Sequence, residues 1–165
     1  MNAVTGTHSG SPQRWITPVF AGGILAGALD LTYACTYHGL VSGVPPVRIL
    51  QSIGSGLFGR ASFEMGATSA AAGFFAHFVI LIVAAGIFYA ASRRFAFLRE
   101  RAYVAGMVFG AGIYCTMNYI VLPLSAAPHF KSTMIGALSD FAMHVLVLGP
   151  AIALVVRHFD RARGT

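Results

Sequence analysis

Apolar positions are gathered into long blocks rather than alternating along the chain. Four segments, Ile16 to Leu40, Ser69 to Ala91, Ala102 to Leu124 and Thr133 to Val156, are apolar over most of their length. Each equals or exceeds the roughly 20 residues that a helix rising about 1.5 Å per residue needs to cross about 30 Å of hydrocarbon. In lipid only helices and closed barrels satisfy their backbone groups, and these runs lack the apolar/polar alternation of a barrel strand. The pattern predicts an all-α integral membrane protein, a bundle of four transmembrane helices over residues 16–156.

The long connection between the first two spans has a different period. In "VRILQSIGSGLFGRASFEMG", Leu50, Ile53, Leu57 and Ala61 fall on one helical face, and Arg48, Gln51, Ser55 and Ser62 lie mostly on the other. That predicts a short amphipathic helix over 47–63, lying on the membrane or folded back over the bundle. Glycines 54, 56 and 59 weaken it, so a re-entrant loop is the alternative. Residues 1–15 hold Ser, Thr, Gly and Asn and predict a disordered tail, and residues 157–165 form a basic tail. Arg14 before an apolar run resembles a signal peptide, but the run outlasts an h-region and has no A-x-A-like site behind it.

A faint repeat runs through the spans. The first and third open with glycines four apart, Gly23 and Gly27, then Gly106 and Gly110, the spacing that lets membrane helices approach closely. The second and fourth each carry one histidine, in "FFAHF" and "DFAMHV". Two helical hairpins duplicated in parallel would account for both features.

Composition agrees with the block pattern: 56% of the 165 residues are hydrophobic and 10% charged, where a globular domain carries about a quarter charged. The net charge of +6 would suit nucleic acid if it were spread over one surface. Instead, eight of the eleven basic residues, Arg14, Arg93, Arg94, Arg99, Arg101, Arg157, Arg161 and Arg163, fall on the side of a four-span protein that holds both termini. Arg48, Arg60 and Lys131 fall on the other. Cationic loops stay in the cytoplasm, so both termini are expected there, with the lipid bilayer and not nucleic acid as the partner of the charge. Cys35 and Cys115 lie within spans and read as small apolar residues.

The polar residues inside the spans are fewer and more telling. Counted at 1.5 Å per residue from the outer ends, His77 lies about 12 Å deep, His144 and Asp30 about 15 Å, and Asn118 about 9 Å. Asp140 precedes His144 by one turn and shares its helix face. Ionisable groups at such depth are costly and usually turn inward, so Asp30, His77, Asn118, Asp140 and His144 predict one polar node in the outer half of the bundle. Bland roles stand beside this. Asn118 would serve as interhelical glue, His77 as a packing histidine bound to a carbonyl, and Asp30 as an ion-pair partner of Arg48, with Gln51 as a second loop contact. The Asp140 carboxylate would fix the tautomer of His144, and Pro150 would kink the fourth helix and free the Leu146 carbonyl.

The motifs "AGGILAGALD", "NYIVLPLSAAP" and "LSDFAMHVLVLGPAIALVVRHFDR" resemble the YagU-like bacterial inner-membrane proteins, a family of unknown function. The similarity is clearest from His77 to Arg161, where that family's acid and histidine one turn apart match Asp140 and His144. The first half matches poorly, and the long polar insertion of that family's outer loop is missing. The resemblance implies a bacterial inner-membrane protein and supplies no substrate.

Three functions compete. Buried carboxylates and imidazoles suit a small proton- or cation-handling protein, acting as a homo-oligomer or as a subunit of a transport complex. A structural or assembly partner of a membrane complex would use the node only to set helix pairing. A b-type haem protein would ligate iron with His77 and His144 on parallel helices, nearby glycines leaving room for the porphyrin. A divalent metal on Asp30, His77, Asp140 and His144 is a further cofactor possibility. No G-x-S-x-G, H-E-x-x-H or phosphate-binding glycine loop occurs, so no enzyme is expected.

Overall fold

The computed structural model describes residues 15–128 and 133–161. The tail expected over residues 1–15 therefore lies outside them but for Trp15, as do Arg14, Lys131, Arg163 and the end of the basic tail. Helix α1 is Ile16–Ser42, α2 is Pro46–Phe58 and α3 is Ala67–Arg94. After a single turn at Phe97–Glu100 come α4, Ala102–Leu124, and α5, Met134–Arg161. Helices α1, α3, α4 and α5 are long and apolar enough to cross a membrane, and the protein is an all-α, four-helix membrane bundle. Their outward faces carry Phe20, Ile24, Phe75, Val79, Val83, Ile87 and Val108, the composition lipid requires.

Local sequence explains the ends. Gly43 adopts φ 65°, its N–H reaching the Gly39 carbonyl while that of Val44 reaches the His38 carbonyl; this left-handed glycine stop is open to few other residues. Pro46 starts α2, where a missing N–H costs nothing. Thr133 caps α5 by accepting from the Gly136 N–H at 3.1 Å.

Small residues set the pairing. A methyl group on Gly23 would sit 2.5 Å from the Cα of Ile82, and one on Gly27 would sit 2.9 Å from the Phe78 ring. In the second hairpin, one on Gly106 would lie 2.6 Å from the Cα of Pro150, and one on Gly110 would overlap the His144 carbonyl. Both hairpins thus close antiparallel through glycines four apart, with the His77 ring beside Gly27 in the first and the His144 carbonyl against Gly110 in the second. Between them, nearer the end that carries the termini, Val19, Ala26, Leu81, Ala85, Phe88, Ala105, Leu148, Ile152, Ala153 and Val156 form one apolar core. At that end Asp160 pairs with Arg93 at 2.8 Å and Arg99 at 2.9 Å.

Helix α2 folds back against the start of α3. Gln51, Ser55 and Ser62 of the polar set are buried while Arg48 is exposed, and of the apolar set Leu57 is 63% exposed while Leu50 and Ile53 are half-buried. Hydrogen bonding accounts for the buried polar groups. Ser62 Oγ donates to the Gln51 carbonyl, Gln51 Nε2 to the Gly66 carbonyl, Ser69 Oγ to the Ser62 carbonyl and Ser55 Oγ to the Ser52 carbonyl. Each of these polar groups is satisfied inside the protein, while Leu57 is left on the outside and Ile53 lines the cavity described below. The glycines that weaken α2 as an isolated helix make this contact: a Cβ on Gly54 would lie 2.5 Å from the Ser69 carbonyl, and Gly73 receives the Leu50 carbonyl.

Two irregular turns remain. The helix widens to a π turn over Met117–Val121 in α4 and over His144–Leu148 in α5. The Leu122 N–H bonds the Met117 carbonyl and the Gly149 N–H bonds the His144 carbonyl, five residues back in each case. Pro123 and Pro150 follow immediately; a proline cannot donate and crowds the carbonyl four residues earlier, which the wider turn relieves. The expected kink at Pro150 thus takes the form of a π turn.

Candidate functional site

The end of the bundle away from the termini contains a half-enclosed cavity of about 970 Å³. Its lining runs from Gly43, Pro45 and Phe63 inward to Leu81 and Leu148, where the apolar core begins. Asp30, His77, Asn118, Asp140 and His144 all line it, together with Arg48. Four helices therefore bring to one space the five polar residues singled out in the spans.

Their bonds match the expected ones only in part. His77 is 7% exposed and directs Nε2 to the Gly27 carbonyl at 3.0 Å, with Asp30 Oδ2 at 3.9 Å. It is bound to a carbonyl, as expected of a packing histidine, and that carbonyl belongs to α1 because Gly27 has no side chain to keep the ring from the backbone. His144 is tied through Nδ1 to the backbone carbonyl of Asp140 at 2.8 Å, so the carbonyl and not the carboxylate orients it. A carbonyl only accepts, which places the hydrogen on Nδ1 of His144 and leaves the Nε2 lone pair as its basic site.

The Asp140 carboxylate is held from another helix. Tyr33 Oη of α1 lies 3.0 Å from Asp140 Oδ1 and 2.7 Å from Ser139 Oγ. Tyr114 packs edge-on to His144, ring centroids 5.5 Å apart, and donates to the Ala137 carbonyl at 3.3 Å. Neither Tyr33 nor Tyr114 is among the polar residues expected at the node, because a tyrosine in an apolar run reads as bulk. The spacing of Tyr33 one turn from Asp30 was the available signal.

Three further expectations are corrected. Arg48 does not pair with Asp30; it bonds the Phe63 carbonyl at 3.0 Å and Gln51 Oε1 at 3.3 Å, held by the loop that turns back over α2. Gln51 points to that loop and does not line the cavity. Asn118 bonds the Tyr114 carbonyl of its own helix at 2.9 Å, occupying an acceptor at the π turn instead of bridging helices.

The residues do not fit an axially ligated haem. His77 Nε2, the nitrogen an iron would take, is engaged by Gly27. The glycines that might have made room are filled, Gly27 by Phe78, Gly73 by the Leu50 carbonyl and Gly110 by the His144 carbonyl. Among the described residues no three His, Cys, Asp or Glu side chains converge as metal ligands.

The fold and site define a four-span α-helical membrane protein with a polar cavity in one half and an apolar seal in the other. Comparison with protein families, with curated proteins and with solved structures finds no match.

Proposed function

We propose that this is a small proton- or cation-handling membrane protein, acting as an oligomer or as part of a transport complex. The observation that carries the reading is that Asp30 and Asp140, from different hairpins, line one half-enclosed cavity with no arginine or lysine ion pair to either among the described residues. A carboxylate at membrane depth is costly unless it is neutralised, and a proton or a bound cation is what neutralises it here. The Tyr33 hydroxyl and His144 Nε2 provide the adjoining positions for proton exchange. The apolar core below Leu81 and Leu148 closes the inner half, so passage requires this seal to open.

The basic end sets the orientation in this proposal. Among the described residues it carries Arg93, Arg94, Arg99, Arg101, Arg157 and Arg161 against Glu100 and Asp160, placing both termini in the cytoplasm of a bacterium with the cavity facing outward. A YagU-like relationship is part of the same proposal. Proteoliposomes enclosing a pH-sensitive dye test the function. The intact chain is expected to dissipate an imposed pH gradient or exchange it for cations, and Asp30→Asn or Asp140→Asn to stop it. No flux through the intact chain would leave the scaffold reading, which the closed inner half favours, and flux unchanged in both variants would show that the two carboxylates do not carry it.

A further inference from the structure

We propose that the cavity binds an organic monocation with an apolar body, a lipophilic ammonium or phosphonium, with Asp30 and Asp140 as counter-charges. This rests on the cation-handling reading and narrows it to a substrate class.

Size comes first. The cavity of about 970 Å³ stands at the top of the range of about 300–1,000 Å³ for sites that take small organic molecules. A bare ion would leave nearly all of it empty. A metal ion also needs several donors at close range, and the described residues bring no three candidate ligands together.

Charge comes second. Of the described residues that line the cavity, Asp30 and Asp140 carry the carboxyl groups, and Arg48 is turned to the Phe63 carbonyl and Gln51. A cation entering between the helices therefore meets carboxyl groups as its ionisable partners. Arg48 is not set up to capture an anion, since its guanidinium lies 5.2 Å from the centroid of the Phe63 ring and bonds the carbonyl of the same residue.

Chemistry comes third. Tyr33, whose hydroxyl reaches Asp140, and Tyr114, edge-on to His144, also line the cavity, and aromatic faces attract cations within about 6 Å. The half-buried Ile80, Ile113 and Met117, above the fully packed Leu81 and Leu148, offer an apolar lining for an apolar body. An acid flanked by aromatic rings over an aliphatic floor suits a cation whose charge is shrouded in hydrocarbon, and suits a hydrated metal ion poorly.

Calorimetric titration of the purified full chain in detergent with tetraphenylphosphonium tests this. Saturable binding of one cation per chain is expected, with tetramethylammonium about tenfold weaker or more and sodium, potassium and magnesium silent. Asp30→Asn and Asp140→Asn are each expected to weaken binding about tenfold or more. Ala34→Phe keeps both carboxylates, puts a ring into the cavity one helical turn from Asp30 and should weaken binding about tenfold or more, which keeps the test decisive if an Asn variant does not fold. No saturable binding, binding of the metal ions instead, or wild-type affinity in Ala34→Phe would each overturn the proposal. Tetraphenylphosphonium binding without flux in proteoliposomes would sink the transport reading and leave the ligand class standing. Proton flux without such binding would do the reverse.

Discussion

The hydroxyl of Tyr33 on α1 lies 3.0 Å from the Oδ1 of Asp140 on α5, the one side-chain hydrogen bond recorded between a carboxylate of the cavity and another helix among the described residues. It joins the first hairpin to the second beside Ser139 Oγ, 2.7 Å away. Tyr33→Phe keeps the ring and removes the bond. Interhelical hydrogen bonds in membranes average about 0.6 kcal/mol and reach about 1.7 kcal/mol, so the variant should lose no more than that in denaturant unfolding. Its cation affinity should fall as well, since Asp140 loses the donor that positions it. A loss of about 3 kcal/mol or more would mean that the hydroxyl holds the hairpins together.

Close helix contacts give a sharper contrast. Gly110→Ala would drive a methyl into the His144 carbonyl, and backbone cannot step aside, whereas Gly112, two residues on, has nothing within 4 Å of where a Cβ would sit. Gly110→Ala is therefore expected to cost about 2–3 kcal/mol or to prevent folding, as overpacking does. Gly112→Ala should be neutral or stabilising by up to about 1 kcal/mol through helix propensity. Unfolding midpoints of the two variants against the wild type check both; equal effects would refute the packing described for α4 and α5.

Some of this was legible in the sequence, for physical reasons. The spans stand out because lipid forbids anything but unbroken apolar helix, and Asp30, His77, Asp140 and His144 stand out against that background. Gly23, Gly27, Gly106 and Gly110 show the pairing because no other residue lets backbones approach so closely. Spacing separates the two faces of α2 but does not say which of them meets the protein, so the burial of Gln51 and Ser62 is not legible in it. Partners such as the Gly27 carbonyl for His77 depend on rotamers and helix rotation that spacing does not encode. The π turns are hinted at only by Pro123 and Pro150, and proline alone does not choose between a kink and a wider turn.

The basic end should respond to salt. Asp160 holds both Arg93 and Arg99 while its own side chain is 29% exposed. Exposed pairs of this kind are worth about 0.2–1 kcal/mol each and are screened by salt. Asp160→Asn should lower stability by about 1 kcal/mol at low ionic strength, and the difference should shrink toward zero near 1 M salt. A deficit unaffected by salt would show that Asp160 acts through packing.

The two span histidines separate structure from function. His77 is 7% exposed and packed against Gly27, whose carbonyl, in mid-helix, also has an intrahelical partner. Removing the ring therefore costs mainly the void it leaves. His77→Ala should lose about 2–4 kcal/mol, the range for emptying a buried site. His144 is less buried and is anchored to its own helix, with Nε2 left as its basic nitrogen at the cavity. His144→Ala should cost about 1 kcal/mol or less in stability yet abolish pH-driven flux. Unfolding and dye-reported flux measured on the same preparations give the comparison. Equal stability losses would make His144 a packing residue like His77. A flux defect in His77→Ala with full stability would move His77, with Asp30 3.9 Å away, from the framework into the proton-exchanging group.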